Sequence, residues 1–401
     1  MCPAQRRGSR RRINAQPTSG SVGHFAPVLN RLGFSHIQGT KFGRHTPGMG
    51  QYLNPSARSR LFGTLLRLSH YSGVPRLMDQ LRKGRITVLM YHGVPTRDTF
   101  DGLANCNGYN IPLREFERHV IHLNRRCHVI SLSNMLQANN LSNDRINVVL
   151  TFDDGYENNY SNVFRLLSHY QLPATFALST GFINEREPLW NDVVEYAITT
   201  SEKSRVSIEW MGDRIDCALN RRGARMQLYT WLMEKCTTGD QLLRTELLQR
   251  TLDELGIVDY RNAMFTNEDY RPMTTSQIRE MAASGLAEFA AHSVNHYMLT
   301  GLGHEQRDLE LRDSKKHVEE LTRTLCRFLT IPGGRYDSAV IDAAFRAGYE
   351  RILTSDSGPV AIGARVLNRN VLRREPADHR FVDVVHGPLV EMAASIRQRF
   401  T

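Results

Sequence analysis

The chain has 401 residues, 41% of them apolar and 23% charged, and nowhere reaches the ~18 uninterrupted apolar residues of a membrane span. This excludes disorder of the whole chain and a spanning helix. The net charge of +10 comes entirely from residues 1 to 60, which hold ten arginines and lysines and no acid; the body is balanced and calls for no nucleic acid.

Residues 1 to 55, rich in Arg, Gly, Ser and Pro without a sustained apolar period, read as a flexible basic tail. No apolar stretch of the secretory kind follows the arginines. Residues 56 to 85 space apolar side chains helically with basic ones between them. This amphipathic lead-in either packs on the domain or lies peripherally on a membrane surface.

From residue 86 short apolar runs alternate with helical periods. Strands are expected at Ile86 to Tyr91, Val148 to Phe152, Ala174 to Leu178, Leu286 to Ala291, Phe328 to Ile331 and Arg351 to Thr354. Helices are expected at Leu113 to Leu123, Tyr160 to Tyr170, Ser276 to Ser284, His304 to Arg327 and Ser338 to Ala347. Apolar strands in such alternation mean a parallel sheet covered by helices, barrel or doubly wound. Residues 200 to 262 break the rhythm: Val206, Ile208 and Trp210 alternate as a hairpin strand, and a leucine stripe from Leu242 to Leu255 follows. We read this as a mainly helical insertion in a domain spanning 86 to 401. Six scattered cysteines without a CxxC indicate no reliance on disulfides.

Four motifs carry chemistry. In VVLTFDDGY, Asp153 and Asp154 stand where a buried strand runs out, and a bend at Gly155 lets both carboxylates reach one pocket; one can bind a metal while the other takes a proton. Capping of the next helix is the ordinary use of such a pair. In FAAHSVNH, His292 and His296 are four apart, which on a helical turn puts both imidazoles on one side. Two imidazoles and one carboxylate form a three-ligand site with open positions, as expected of a metal that activates water. FLTIPGGRYD gives a tight turn whose Gly333 N–H can face an oxyanion. Finally ITVLMYHGV ends a strand with His92, a position where a histidine is more often structural.

TFDDG, HSVNH, the strand-end PGG turn and the leading LMYH, in this order, resemble the polysaccharide deacetylases of the NodB-homology, carbohydrate esterase type, over about residues 85 to 385. The early MYH is similar to the branch linked to bacterial exopolysaccharide. The resemblance implies a distorted (β/α) barrel with fewer than eight strands. It also implies Asp153 as general base, Asp154, His292 and His296 as ligands of one divalent ion, zinc foremost, and His92 as catalytic acid. Many members carry Arg two positions before the proline of the PGG-like turn; here that position is Thr330. His386, in VVHG of a terminal helix, reads as surface.

The implied activity is hydrolytic N-deacetylation of an N-acetylated poly- or oligosaccharide, in the bacterial envelope or cytoplasm. One rival is a metal amidohydrolase acting on a small amide; another is a silent glycan-binding protein of the same fold. An open groove lined by Trp190 and tyrosines favours sugar, and a closed pocket favours the small amide.

Overall fold

The computed structural model describes residues 83–238, 241–374 and 379–386. The basic tail and nearly all of the lead-in segment lie outside them. In chain order the main elements are β1 (Ile86–Tyr91), α1 (Leu113–Arg126), β2 (Cys127–Val129), β3 (Ile146–Phe152), α2 (Arg165–His169), β4 (Ala174–Leu178) and α3 (Trp190–Thr200). There follow β5 (Arg205–Trp210), β6 (Asp213–Ala218), α4 (Arg222–Thr238), α5 (Gln241–Leu255), α6 (Thr275–Ala283), β7 (Ala287–Ala291) and α7 (His304–Thr322). The last are β8 (Phe328–Thr330), α8 (Ser338–Arg346), β9 (Arg351–Leu353), β10 (Val366–Leu367), β11 (Asn370–Val371) and α9 (His379–His386).

All strands but β5 and β6 form one sheet in the order β10-β9-β8-β7-β4-β3-β1-β11, with β2 beside the start of β3. Every pairing in it is parallel. β10 lines one edge and β11 the other, yet only Asn368 and Arg369 separate them in the chain. The two edges therefore meet at this short crossing, and the sheet curls into a distorted (β/α) barrel.

Residues alternate faces along a strand. Ile86, Val88, Val149, Ala177, Ala290, Phe328 and Leu353 share a small inner core. The opposite face, including Leu89, Leu150, Phe176, Phe289 and Ile352, packs under helical residues such as Phe116, Leu167, Ile278, Leu311 and Val340. Burial on both faces explains why these strands read as nearly continuous apolar runs. α6 begins at a capping box: the Thr274 hydroxyl accepts from the Gln277 N–H while the Gln277 side chain accepts from the Thr274 N–H.

Differences from the expected boundaries have local causes. The helix predicted from Tyr160 starts as a π-helical stretch, Asn159–Phe164, before α2. The one predicted to Arg327 ends at Thr322, where Arg323 turns left-handed at φ 59°. α3, the β5-β6 hairpin, α4 and α5 surround a second core that includes Trp190, Trp210, Leu228, Leu232 and Leu252. His386 is buried rather than on the surface: Phe381 of α9 stacks on His119 of α1 with centroids 3.9 Å apart, and His386 Nε2 lies 2.7 Å from His122 Nε2. The described cysteines are all free, and no described helix is long and apolar enough to cross a membrane.

Candidate active site

Strand parity delivers the site. Continuing the inner-facing sets beyond the strand ends carries His92 after β1, Asp153 after β3, His292 after β7 and Thr330 at the end of β8 to the inner face at the carboxyl end of the sheet. Parity alone would send Asp154 the other way. The chain bends instead, with φ of 79° at Asp154 and 95° at Gly155. A β-carbon on Gly155 would lie 3.2 Å from both Leu178 and Ile183, so that backbone conformation and the close packing both favour glycine.

Asp154, His292 and His296 are all buried, and one ligand atom from each lies within 4.8 Å of the others. Asp154 Oδ1 is 3.4 Å from Nε2 of both histidines, and in this buried position has no hydrogen-bond partner among the described residues. His292 Nδ1 faces the Thr330 carbonyl at 3.0 Å and the Thr330 hydroxyl, so its N–H is engaged there and the Nε2 lone pair is left for the site. These donors fit a divalent ion. His296 differs in that its buried Nδ1 has no partner among the described residues.

The two histidines are not on a helical turn, as their spacing suggested. Residues 292 to 296 form a loop with left-handed Ser293 (φ 61°) and His296 (φ 55°). Glu310 of α7 clamps this loop: its carboxylate accepts from the N–H groups of Val294 (2.8 Å) and Asn295 (3.0 Å) and from the Asn295 side chain (2.6 Å). Ser293 Oγ accepts from the His296 N–H at 3.0 Å.

Asp153 is held by a residue that the motifs did not reveal. Arg369, in the crossing between β10 and β11, is wholly buried and donates two bonds to the carboxylate, Nη1 to Oδ1 at 2.7 Å and Nη2 to Oδ2 at 2.8 Å. It also reaches the Thr354 carbonyl at 2.9 Å. An arginine thus serves Asp153 although Thr330 stands at the position where the resemblance looked for one. Its only sequence signal was a lone Arg in the short segment VLNRNV. Burial alone would raise the Asp153 pKa, but Arg369 and His292 outweigh it and hold the carboxyl below its ordinary value.

His92 is half-buried, its ring 4.5 Å from that of Tyr109, and its Nδ1 has no hydrogen-bond partner among the described residues. Burial lowers its pKa, against the opposing pull of Asp154 and Asp153. Burial lowers that of His296 to about 4, against Asp154, whereas at His292 the same two carboxylates overcome burial and raise it.

Two further expected residues have neighbours that the motifs did not reveal. Trp190 is 5% exposed, beneath the His296 loop, where its indole N–H donates to the His296 carbonyl at 2.9 Å; it supports that loop, packs into the second core, and lines a cavity with Arg244 and Tyr297. Gly333 is exposed in the turn after β8 with φ 61°, and a β-carbon there would collide with the Met298 thioether.

A family model described as polysaccharide deacetylase matches residues 141–208 and 238–352. The Bacillus subtilis (strain 168) protein described as "Putative polysaccharide deacetylase YxkH" is 20% identical over 281 residues, 69% of this chain and 67% of its own. Among solved structures, the Streptococcus pyogenes deacetylase PplD in complex with acetate matches with a TM-score of 0.49 and 17% identity, over 75% of this chain and 98% of that one. IcaB from Ammonifex degensii matches with 0.47 and 15%, over 76% and 98%. The matched stretches run from ahead of β3 into β9 and skip 209–237, which holds β6 and most of α4. Both the strand that leads to the paired aspartates and the loop of paired histidines fall inside what the family shares, and the chain belongs to the polysaccharide deacetylases, hydrolases of carbon–nitrogen bonds other than peptide bonds.

Proposed function

We propose that this protein removes acetyl groups from the amino groups of an N-acetylated glycan, of the exopolysaccharide kind, with a divalent ion held by Asp154, His292 and His296. The observation that carries the reading is the juxtaposition of that triad with a second carboxylate, Asp153, fixed by a buried arginine. Bound there, the ion supplies Lewis acidity to the amide carbonyl and to water. Zinc suits two imidazoles and one carboxylate.

The protein groups divide the remaining work. Asp153, kept ionised by Arg369, accepts the proton of the attacking water; its Oδ2 lies 4.0 Å from His292 Nε2, so the base borders the triad. The amine departs only if protonated, and His92 is the imidazole on the same inner face with an unpartnered nitrogen to donate from. The Gly333 N–H is assigned to the oxyanion. Trp190 and Glu310 hold the loop that presents His296.

The test is acetate release from a panel of N-acetylated oligosaccharides by metal-stripped and zinc-restored protein. Release that depends on restored metal is expected. No release from any glycan, with turnover of small N-acetyl amides, would move the protein to the amidohydrolase reading.

A further inference from the structure

Among the described residues, a depression of about 360 Å³ has only cations as charged lining: Arg222 at the start of α4, and Arg373 and Arg374 just past β11. They face Phe100, Asn107 and Gly108 of the loop between β1 and α1, and no acidic side chain of the described residues lines the space. The charge balance of the body hides this local field.

Other arginines find carboxylates: Arg97 pairs with Asp269, Arg271 with Glu157 and Arg261 with Glu187. Among the described residues the three that line the depression do not. Among the described residues Arg222 makes no hydrogen bond or ion pair. Arg373 donates to the Tyr109 hydroxyl at 3.0 Å and lies 4.7 Å over its ring. Arg374 donates to the Asp98 carbonyl at 2.6 Å and lies 5.3 Å over Phe100. Glu195 lies behind Cys106, with its oxygens taken by the Tyr270 hydroxyl (3.1 Å) and the Cys106 thiol (3.8 Å). Three guanidinium groups around one space repel one another, and an oxyanion between them relieves that repulsion with bidentate bonds.

The depression adjoins the candidate active site through one side chain. Tyr109 has its ring 4.5 Å from that of His92 and its hydroxyl on Arg373. His92 and Arg373 thus flank one tyrosine ring, 4.5 and 4.7 Å from its centre, which puts them no more than about 9 Å apart. A uronate next to the N-acetylated sugar, with its carboxylate directly on its ring, falls within that reach. Every lining residue lies outside the stretches matched by the family model.

The geometry points to an anion subsite: the glycan carries a uronate next to its N-acetylated sugar, and the uronate carboxylate docks between Arg222 and Arg373 while the acetamide lies at His92 and Asp154. This rests on the deacetylase reading and narrows its substrate to an acidic polysaccharide.

The test compares N-acetylheparosan hexasaccharide, in which N-acetylglucosamine alternates with glucuronate, with neutral N-acetylchitohexaose. Acetate release and direct binding titration are followed at low and high salt. The expected result is a lower KM for the charged hexasaccharide, rising with salt, and rising about 10-fold in Arg222→Gln and in Arg373→Gln, the loss of one charge-assisted bond. Arg373→Lys restores part of it, and Arg222→Gln leaves chitohexaose turnover unchanged. Equal KM values for the two glycans, or equal weakening of both in Arg222→Gln, would overturn the subsite. If neither glycan releases acetate, the deacetylase reading fails separately and the titrations decide: tighter binding of the charged hexasaccharide, lost in Arg222→Gln, upholds the subsite, and equal or absent binding overturns it.

Discussion

Asp153 and Asp154 are neighbours with the same side chain, and their surroundings separate them: one receives a guanidinium fork, the other faces two imidazole nitrogens. Asp153→Asn is therefore expected to retain metal while turnover falls by ~10² to 10⁴, the usual worth of a general base. Asp154→Asn should lose the metal itself, and equal metal contents in the two variants would refute the division. In the proposed mechanism Arg369 sets the pH at which the base works. Because it holds the Asp153 pKa down, its removal lets burial push that pKa up, so in Arg369→Gln at saturating metal the acid limb of the rate profile moves to higher pH. The pair's stability contribution is present above the unfolded carboxylate pKa of ~3.9 and lost as pH falls through the native value. Breaking such a buried pair costs about 3–5 kcal/mol, readable by denaturant titration at neutral pH. An unmoved acid limb would separate Arg369 from Asp153. For His92, a general acid matters in proportion to how poor the leaving group is. His92→Asn should slow an N-acetyl substrate at least ~10²-fold and an activated O-acetyl ester much less; equal slowing of both would make it a positioning residue.

The histidine loop shows how an element far along the chain governs the site. Glu310, on α7, joins the loop by three bonds, two of them to backbone N–H groups. Glu310→Ala should leave α7 formed but weaken metal affinity by about 10- to 100-fold, the usual effect of losing an outer support, as measured by competition with a chelator. Unchanged affinity would show that Ser293 and Trp190 hold the loop without it. The same loop marks the boundary of what the sequence discloses. The parallel strands were legible because burial on both faces leaves apolar runs, and their ends were legible because FDDG and HSVNH follow them directly. Period-2 alternation even carries His92, Asp153 and His292 to one face. The bend that turns Asp154 inward was legible at Gly155, but the left-handed residues Ser293 and His296 were not, since neither is a glycine. Nor were Glu310 and Arg369: each meets its partner through the tertiary fold, 15 and 216 residues away, with no local pattern to announce it.

At the scale of the whole molecule the site is a seam between segments far apart in the chain. Asp154 follows β3, the histidines follow β7, and only β4 lies between these strands, while Arg369 arrives from the crossing at which the sheet's two edges meet. A cation bound by all three ligands therefore cross-links two segments of the native state, and the unfolded chain has no such arrangement to offer it. By mass action an ion at 100 times its Kd adds about 2.7 kcal/mol to folding. Adding zinc to stripped protein should accordingly raise Tm by several degrees, and a chelator should reverse this. The rise should be absent in the His292→Ala/His296→Ala protein. It should also shrink as pH falls, because protons compete for the imidazoles and the carboxylate that must be free to bind the ion. Differential scanning calorimetry across pH, with and without zinc, reads all of these together. A zinc-dependent rise that survives in the double variant would place the ion elsewhere, and the absence of any rise in the unsubstituted protein would leave the triad without a metal to hold.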